Sequence, residues 1–227
     1  MAFQGFGKPF FRFFAELVEN NEKAWFEANR TRYEADVKAT LADFIVALAP
    51  KLAKISPNFV ADPKKSMFRI HRDVRFSKDK SPYKTNAGLS FRHARGKDAH
   101  TPGYYIHLEP GGVFYGGGVW KPEPETLTRI RDAIVQKTKA WEKAKADPKV
   151  VATYGGLGDG DPLARPPRGY DADHPAMEDL KKRTFFVFKE VPVRAAGRAD
   201  FVDEVATAFA AAKPVMKFLT EAVGEEF

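Results

Sequence analysis

Apolar residues recur at steps of three and four through the first sixty positions, then at steps of two through the middle of the chain. Phe10, Phe11, Phe13, Phe14, Leu17 and Val18 predict a short amphipathic helix, with Pro9 suited to its first turn. Asn20 and Asn21 end it, and the Asn21 side chain is placed to cap the next helix. There Trp25, Phe26, Asn29, Tyr33, Val37, Leu41, Phe44, Ile45 and Leu48 form a stripe of roughly seven turns, which Pro50 kinks or stops.

Residues 67–76, 87–93, 104–109 and 113–120 alternate with a period of two and read as strands. Glu109-Pro110-Gly111-Gly112 suits a type II turn, which makes the third and fourth strands an antiparallel hairpin. Residues 98–102 read as a polar connection. Helix returns after Pro122-Glu123-Pro124, with Leu127, Ile130, Ile134 and Val135 on one face. Asp147-Pro148 predicts a brief helix ending at Gly155. Residues 155–170, rich in Gly and Pro, read as a loop crossing the surface. A short helix from Asp173-His174-Pro175 through residue 183 follows. Phe185, Phe186, Val187 and Phe188 mark a fifth strand over residues 184–191. The final helix covers residues 200–223, kinked at Pro214. Strands clustered together and flanked by helices predict an α+β fold. The expectation is a single domain over residues 1–227, with a mostly antiparallel sheet of about five strands packed against N-terminal, central and C-terminal helices.

Twenty Phe residues supply much of the core, because each ring buries a large apolar area. The absence of Cys removes disulfides, thiol nucleophiles and thiolate metal sites, and fits a reducing compartment. The first residues lack a signal peptide's basic-then-apolar order, and no apolar run approaches membrane-spanning length. The expectation is a cytoplasmic protein with no membrane association.

Charge changes the picture most. Residues 64–97 carry eleven Lys or Arg and only two acids, Asp73 and Asp79, so the whole +7 excess of the chain comes from this segment. Packing that much positive charge together costs repulsion unless acids or an anionic ligand offset it. On a strand over residues 67–76, Phe68, Ile70, Arg72, Val74 and Phe76 share one face, and Arg69, His71, Asp73 and Arg75 the other. Arg72 within an apolar row reads as a buried guanidinium whose partner comes from elsewhere, since Asp73 lies on the opposite face. The following loop offers free N–H groups, hydroxyls and Lys heads suited to phosphate or carboxylate. Arg69, Arg75, Lys80, Tyr83 and Lys84 are the candidate ligand-facing residues. Arg72, Asp73 and Asp79 are candidates for structural or orienting roles, with one Asp available as a base.

Arg69-x-x-Arg72-Asp73-x-Arg75-Phe76 followed by Asp79-Lys80-x-x-Tyr83-Lys84 resembles the signature of an uncharacterised, mainly bacterial family, domain of unknown function 2461. The resemblance extends over nearly the full length. It includes Asn20-Asn21, Trp25-Phe26, Asn29-Arg30, Tyr33, Tyr104-Tyr105, residues 117–122, and Pro167-Arg168-Gly169-Tyr170 with His174-Pro175. It supports the fold and the single domain, and implies no activity, substrate or catalytic residue.

Other constellations carry less chemistry. Gly116-Gly117-Gly118 lacks dinucleotide or P-loop spacing and suits close packing. Residues 155–161 lack the ligand spacing of a calcium loop. Arg168, on the stiff run Arg165-Pro166-Pro167, is a candidate to fold over the sheet and complete an anion pocket. His71 and His107 lie on predicted strands, yet no compact metal motif or GxSxG elbow is present, and no cofactor is implied. Three functions follow from the segment: binding of, or chemistry on, a small anion, phosphorylated molecules included; a nucleic-acid-binding surface; or a non-catalytic structural or interaction domain whose Arg and Asp cluster is an internal ion-pair network.

Overall fold

Phe10, Phe13, Phe14 and Leu17 lie on the buried side of α1 (Lys8–Glu19), with a proline in its first turn. The computed structural model describes residues 3–96 and 101–227; the polar connection expected over residues 98–102 therefore lies partly outside the described residues. The stripe from Trp25 is one expected helix but several observed ones: α2 (Lys23–Ala28), α3 (Arg30–Arg32), a π-helical turn at Tyr33–Lys38, and α4 (Ala39–Ile55). Asn29 breaks it, because its side-chain amide donates to the Trp25 carbonyl and competes with the backbone ladder. Pro50 does not stop α4. Val46 and Pro50 are both exposed, so the carbonyl deprived of its N–H partner lies on the wet side of the helix.

After α5 (Pro63–Ser66) come β1 (Ala87–Arg92), β2 (Gly103–Glu109) and β3 (Gly112–Val119), and much later β4 (Phe185–Val191). They form one antiparallel sheet in the order β1-β2-β3-β4. The sheet has four strands rather than about five. Residues 67–76 are extended but switch partner: Phe68 N–H bonds to Gly88 of β1, whereas Arg72 N–H bonds to Pro82 and Ile70 accepts from Lys84. No continuous ladder forms along them. Of the apolar row expected on one face, only Ile70 is buried, and Phe76 is 96% exposed. The β2–β3 hairpin forms with Glu109 opposite Gly112. Its turn is not type II, since Gly111 does not adopt positive φ.

The register sorts the sheet into two faces. Leu89, Ile106 and Tyr115 form one row and Phe91, Tyr104 and Val187 another on the core side, under α11 (Phe201–Ala211) and α12 (Lys213–Ala222), with α4 packed on α11. The other face carries Tyr105, His107, Phe114, Phe186 and Phe188. Between β3 and β4 lie α6 (Pro124–Gln136), α7 (Thr138–Lys145), α8 (Pro148–Tyr154) and α9 (Met177–Leu180). Val135 sits off the buried face of α6, which is set by Ile130 and Ile134. The helix expected through residue 183 is only the short α9. After α10 (Val193–Ala196), the expected kinked C-terminal helix is instead two helices, because Pro214 occupies the first turn of α12. Among the described residues, no helix is long and apolar enough to cross a membrane.

A chain of aromatic contacts connects this core to the basic segment. Phe6 and Phe44 pack with Phe201, Phe10 packs on Phe6 and Phe14, Phe14 on Phe13, and Phe13 on Phe26 and Tyr33. Phe26 then stacks on Tyr83 with centroids 4.2 Å apart.

Candidate functional site

Tyr83 is the hinge of the basic segment. Its ring is buried on Phe26, and its backbone is held by Asn21, which donates to the Tyr83 carbonyl at 2.9 Å and accepts from its N–H at 3.0 Å. Asn21 is thus not a helix cap: α2 has Glu22 at that position and no side-chain cap. This reciprocal pairing mimics a strand's peptide group and clamps residue 83 to the α1–α2 corner. Burial pushes the Tyr83 phenol up, so it stays protonated and is a poor acid near neutral pH.

From that hinge the segment folds back on itself. Arg72 pairs with Asp79 and donates to the Ser81 carbonyl at 3.2 Å. Its side chain is 27% exposed, so it is partly rather than fully buried. Ser81 holds Asp79 through its hydroxyl at 2.6 Å and its N–H at 2.9 Å; these bonds and Arg72 keep the Asp79 carboxyl well below the usual range. Asp73 instead pairs with Arg75 at 2.7 Å, and the Arg75 side chain and N–H lower its carboxyl to about 2. Both acids are committed anions, which makes either a weak general base. Lys80 donates to the Val74 carbonyl at 2.9 Å. Lys84 donates to the Arg69 carbonyl at 3.0 Å and lies 5.2 Å from the Phe68 ring centroid. Among the described residues neither Lys84 nor the Arg69 side chain forms an ion pair. Burial, then the nearby Arg69, shifts the Lys84 ammonium down.

Two adjoining depressions open beside this fold. The first, about 340 Å³, is lined by Asn21, Arg72, Asp79, Ser81, Tyr83, Lys84, Thr85 and Asn86, with Val18 at its rim. The second, about 480 Å³, is lined by Phe68, Arg72, Asp73, Lys84, Asn86, Gly88, Tyr105 and His107. Arg72, Lys84 and Asn86 form the wall they share. The structure brings Tyr83, Lys84, Arg72, Asp73 and Asp79 to this groove. Arg69, Arg75 and Lys80 lie outside its lining. Arg168 does not join it; its neighbour Tyr170 bonds to Asp132 on α6 at 2.8 Å.

His71 and His107 do not face one another. His71 lies beside the Tyr83 ring at 5.2 Å. His107 stacks on Phe114 at 4.6 Å, with Nε2 3.2 Å from Glu109 and Nδ1 3.2 Å from the Tyr105 hydroxyl and 3.4 Å from the Asn86 amide. Among the described residues, no group of three or more His, Asp or Glu side chains could hold a metal ion. Sequence reasoning missed Asn86, Tyr105 and His107 as groove residues. For Tyr105 and His107 the signal was present, since both occupy outward positions of the β2 alternation.

A family model described as "Conserved hypothetical protein (DUF2461)" matches residues 9–218. No curated protein and no solved structure matches the chain.

Proposed function

We propose that this chain, which belongs to the DUF2461 family, binds a small anionic ligand in the paired depressions, with Lys84 and Arg72 as the charged contacts. The observation that carries this reading is Lys84: a half-buried cation lining both depressions, with no carboxylate partner among the described residues. Holding an ammonium there costs desolvation energy, which an anion in the groove would offset. Asn86 and Thr85 supply neutral polar groups around it, and the combined volume suits a small molecule. Phosphate or carboxylate fits this donor set.

The test is a thermal-shift and titration series with inorganic phosphate, phosphorylated sugars and dicarboxylates, because a ligand that binds the native state raises its apparent stability. Lys84→Met should weaken the responding ligand by tenfold or more while leaving the unliganded melting temperature nearly unchanged, since Lys84 makes one hydrogen bond. An undiminished response in Lys84→Met would rule the reading out.

A second reading has its own support. Arg72 and Arg75 are each already paired with an Asp of the same segment. On that reading the cluster is an internal network that fixes the loop over residues 72–81. It predicts no ligand response at all, and loss of loop order in Asp79→Asn.

A further inference from the structure

We infer that the ligand of this groove carries a flat ring next to its anionic group, as a nucleotide does; the inference rests on the anion-binding reading above. The two depressions have different walls. The first is mainly polar. The second presents the rings of Phe68, Tyr105 and His107 around Gly88. Gly88 pairs with His107 across β1 and β2, and its missing side chain lets the Phe68 ring and the Tyr105 hydroxyl close over it. A Cβ there would stand 2.8 Å from the Phe68 ring and 2.9 Å from the Tyr105 hydroxyl.

Polar groups edge these rings: the Asn86 amide and the Tyr105 hydroxyl both meet His107 Nδ1, at 3.4 and 3.2 Å. Together they offer donors and acceptors to the rim of a heterocycle. Lys84 sits over Phe68, so the anion contact and the ring surface adjoin. That spacing suits a phosphate joined through a sugar to a stacked base rather than an isolated anion.

The rings also continue beyond the groove. Tyr105 packs on Phe114 at 5.9 Å, Phe114 on Phe188 at 6.2 Å, Phe188 on Phe186 at 5.5 Å, and Phe186 on Trp120 at 5.4 Å. Lys121 lies 5.8 Å from the Trp120 ring. Phe188 and Trp120 are 38% and 54% exposed, so further bases of a single strand would find stacking surfaces along the sheet. A free nucleotide and a nucleotide at the end of a strand share the groove chemistry.

The experiment uses the full chain at low salt. Titrations with ribose 5-phosphate, adenosine, AMP and UMP separate the ring from the anion, and anisotropy with a labelled oligothymidylate tests the strand. The nucleoside monophosphates should bind at least tenfold tighter than ribose 5-phosphate and than adenosine. Phe68→Ala should bring the affinity for AMP close to that for ribose 5-phosphate. Equal binding of AMP and ribose 5-phosphate by the unsubstituted chain overturns the ring inference and leaves the anion reading intact. Absence of binding by every phosphorylated compound overturns the ring inference, and absence of a dicarboxylate response as well overturns the anion reading. An oligomer that binds tighter than UMP and is weakened by Trp120→Ala supports the inference with a strand as the ligand. An oligomer no tighter than UMP supports it with a free nucleotide.

Discussion

At the scale of single residues, the most consequential side chain of the segment is one without charge. Asn21 satisfies both backbone groups of Tyr83, and Asn21→Ala leaves a part-buried N–H and C=O without partners. The cost should be about 1–3 kcal/mol, read from the midpoint of chemical unfolding at unchanged slope. Asn21→Asp should recover little, because a carboxylate accepts from the N–H but repels the carbonyl. Asp73 makes a different demand. Its carboxyl sits at about 2 when folded, against an ordinary 3.8, because Arg75 bonds to the charged form. The unfolded chain then binds more protons between these values, so stability rises with pH there. The contribution is complete above about pH 4 and is lost as pH falls towards 2; Asp79, lowered in the same direction, adds to the same acid-side loss. A carbon-detected titration should place the Asp73 midpoint near 2. Because both partners are exposed, added salt should move it back towards 3.8. A midpoint unmoved from 3.8 at low salt would show that the pair does not form in solution.

At the scale of elements, the three consecutive glycines of β3, Gly116 to Gly118, separate packing need from tolerance. A Cβ at Gly116 would stand 1.9 Å from the Val187 carbonyl oxygen, and one at Gly118 2.1 Å from that of Phe185, both backbone atoms of β4. At Gly117 the nearest atom is Met216 Sδ at 2.7 Å, on a side chain that can swing aside. Gly116→Ala and Gly118→Ala should therefore cost about 2–4 kcal/mol and Gly117→Ala about 1–2, measured by denaturant unfolding. Equal losses at all three positions would show that β4 yields as readily as a methionine. The same local logic explains what was legible in the chain. Strands β1 to β3 were readable because side chains alternate between a helix-covered face and an open one, as Tyr104, Ile106 and Leu108 do against Tyr105, His107 and Glu109, and β4 was readable from its apolar run Phe185 to Phe188. The strand expected over residues 67–76 alternates equally well, yet its backbone divides its bonds between β1 and residues 82–84. Alternation records side-chain character, not which backbone supplies the hydrogen bonds. Helix boundaries failed for a related reason. Asn29 and Pro214 end or begin helices through local backbone competition, which a continuous apolar stripe conceals. The basic segment announced the site's location, while its sharing among Asp73, Asp79 and Lys84 depended on how the loop folds back.

At the scale of the molecule, residues far apart in sequence build one aromatic core. Phe3 and Phe6 pack on Phe44, and Phe6 and Phe44 on Phe201; the Phe6 N–H bonds to the Ala196 carbonyl. Phe227 packs on Phe59 at 5.6 Å, and the Glu226 carbonyl meets the Asn58 amide at 3.0 Å and His93 Nε2 at 2.9 Å. The long excursion between β3 and β4 returns to the same core, with Trp141 packed on Phe185 and Phe218. We propose on this ground that residues 1–227 fold as one domain. A body whose N-terminal helices, central excursion and C-terminal helices share buried contacts should lose them together. Trp25, beside Phe13, and Trp141, beneath α12, report on opposite parts of it. Variants retaining one of these two tryptophans, each with Trp120 replaced by Phe, should unfold at the same denaturant midpoint once their own stability changes are matched by circular dichroism. The calorimetric enthalpy should equal the van't Hoff enthalpy. Two separated transitions, with Trp141 leaving its environment before or after Trp25, would divide the chain near the loop over residues 155–170 and overturn the single domain.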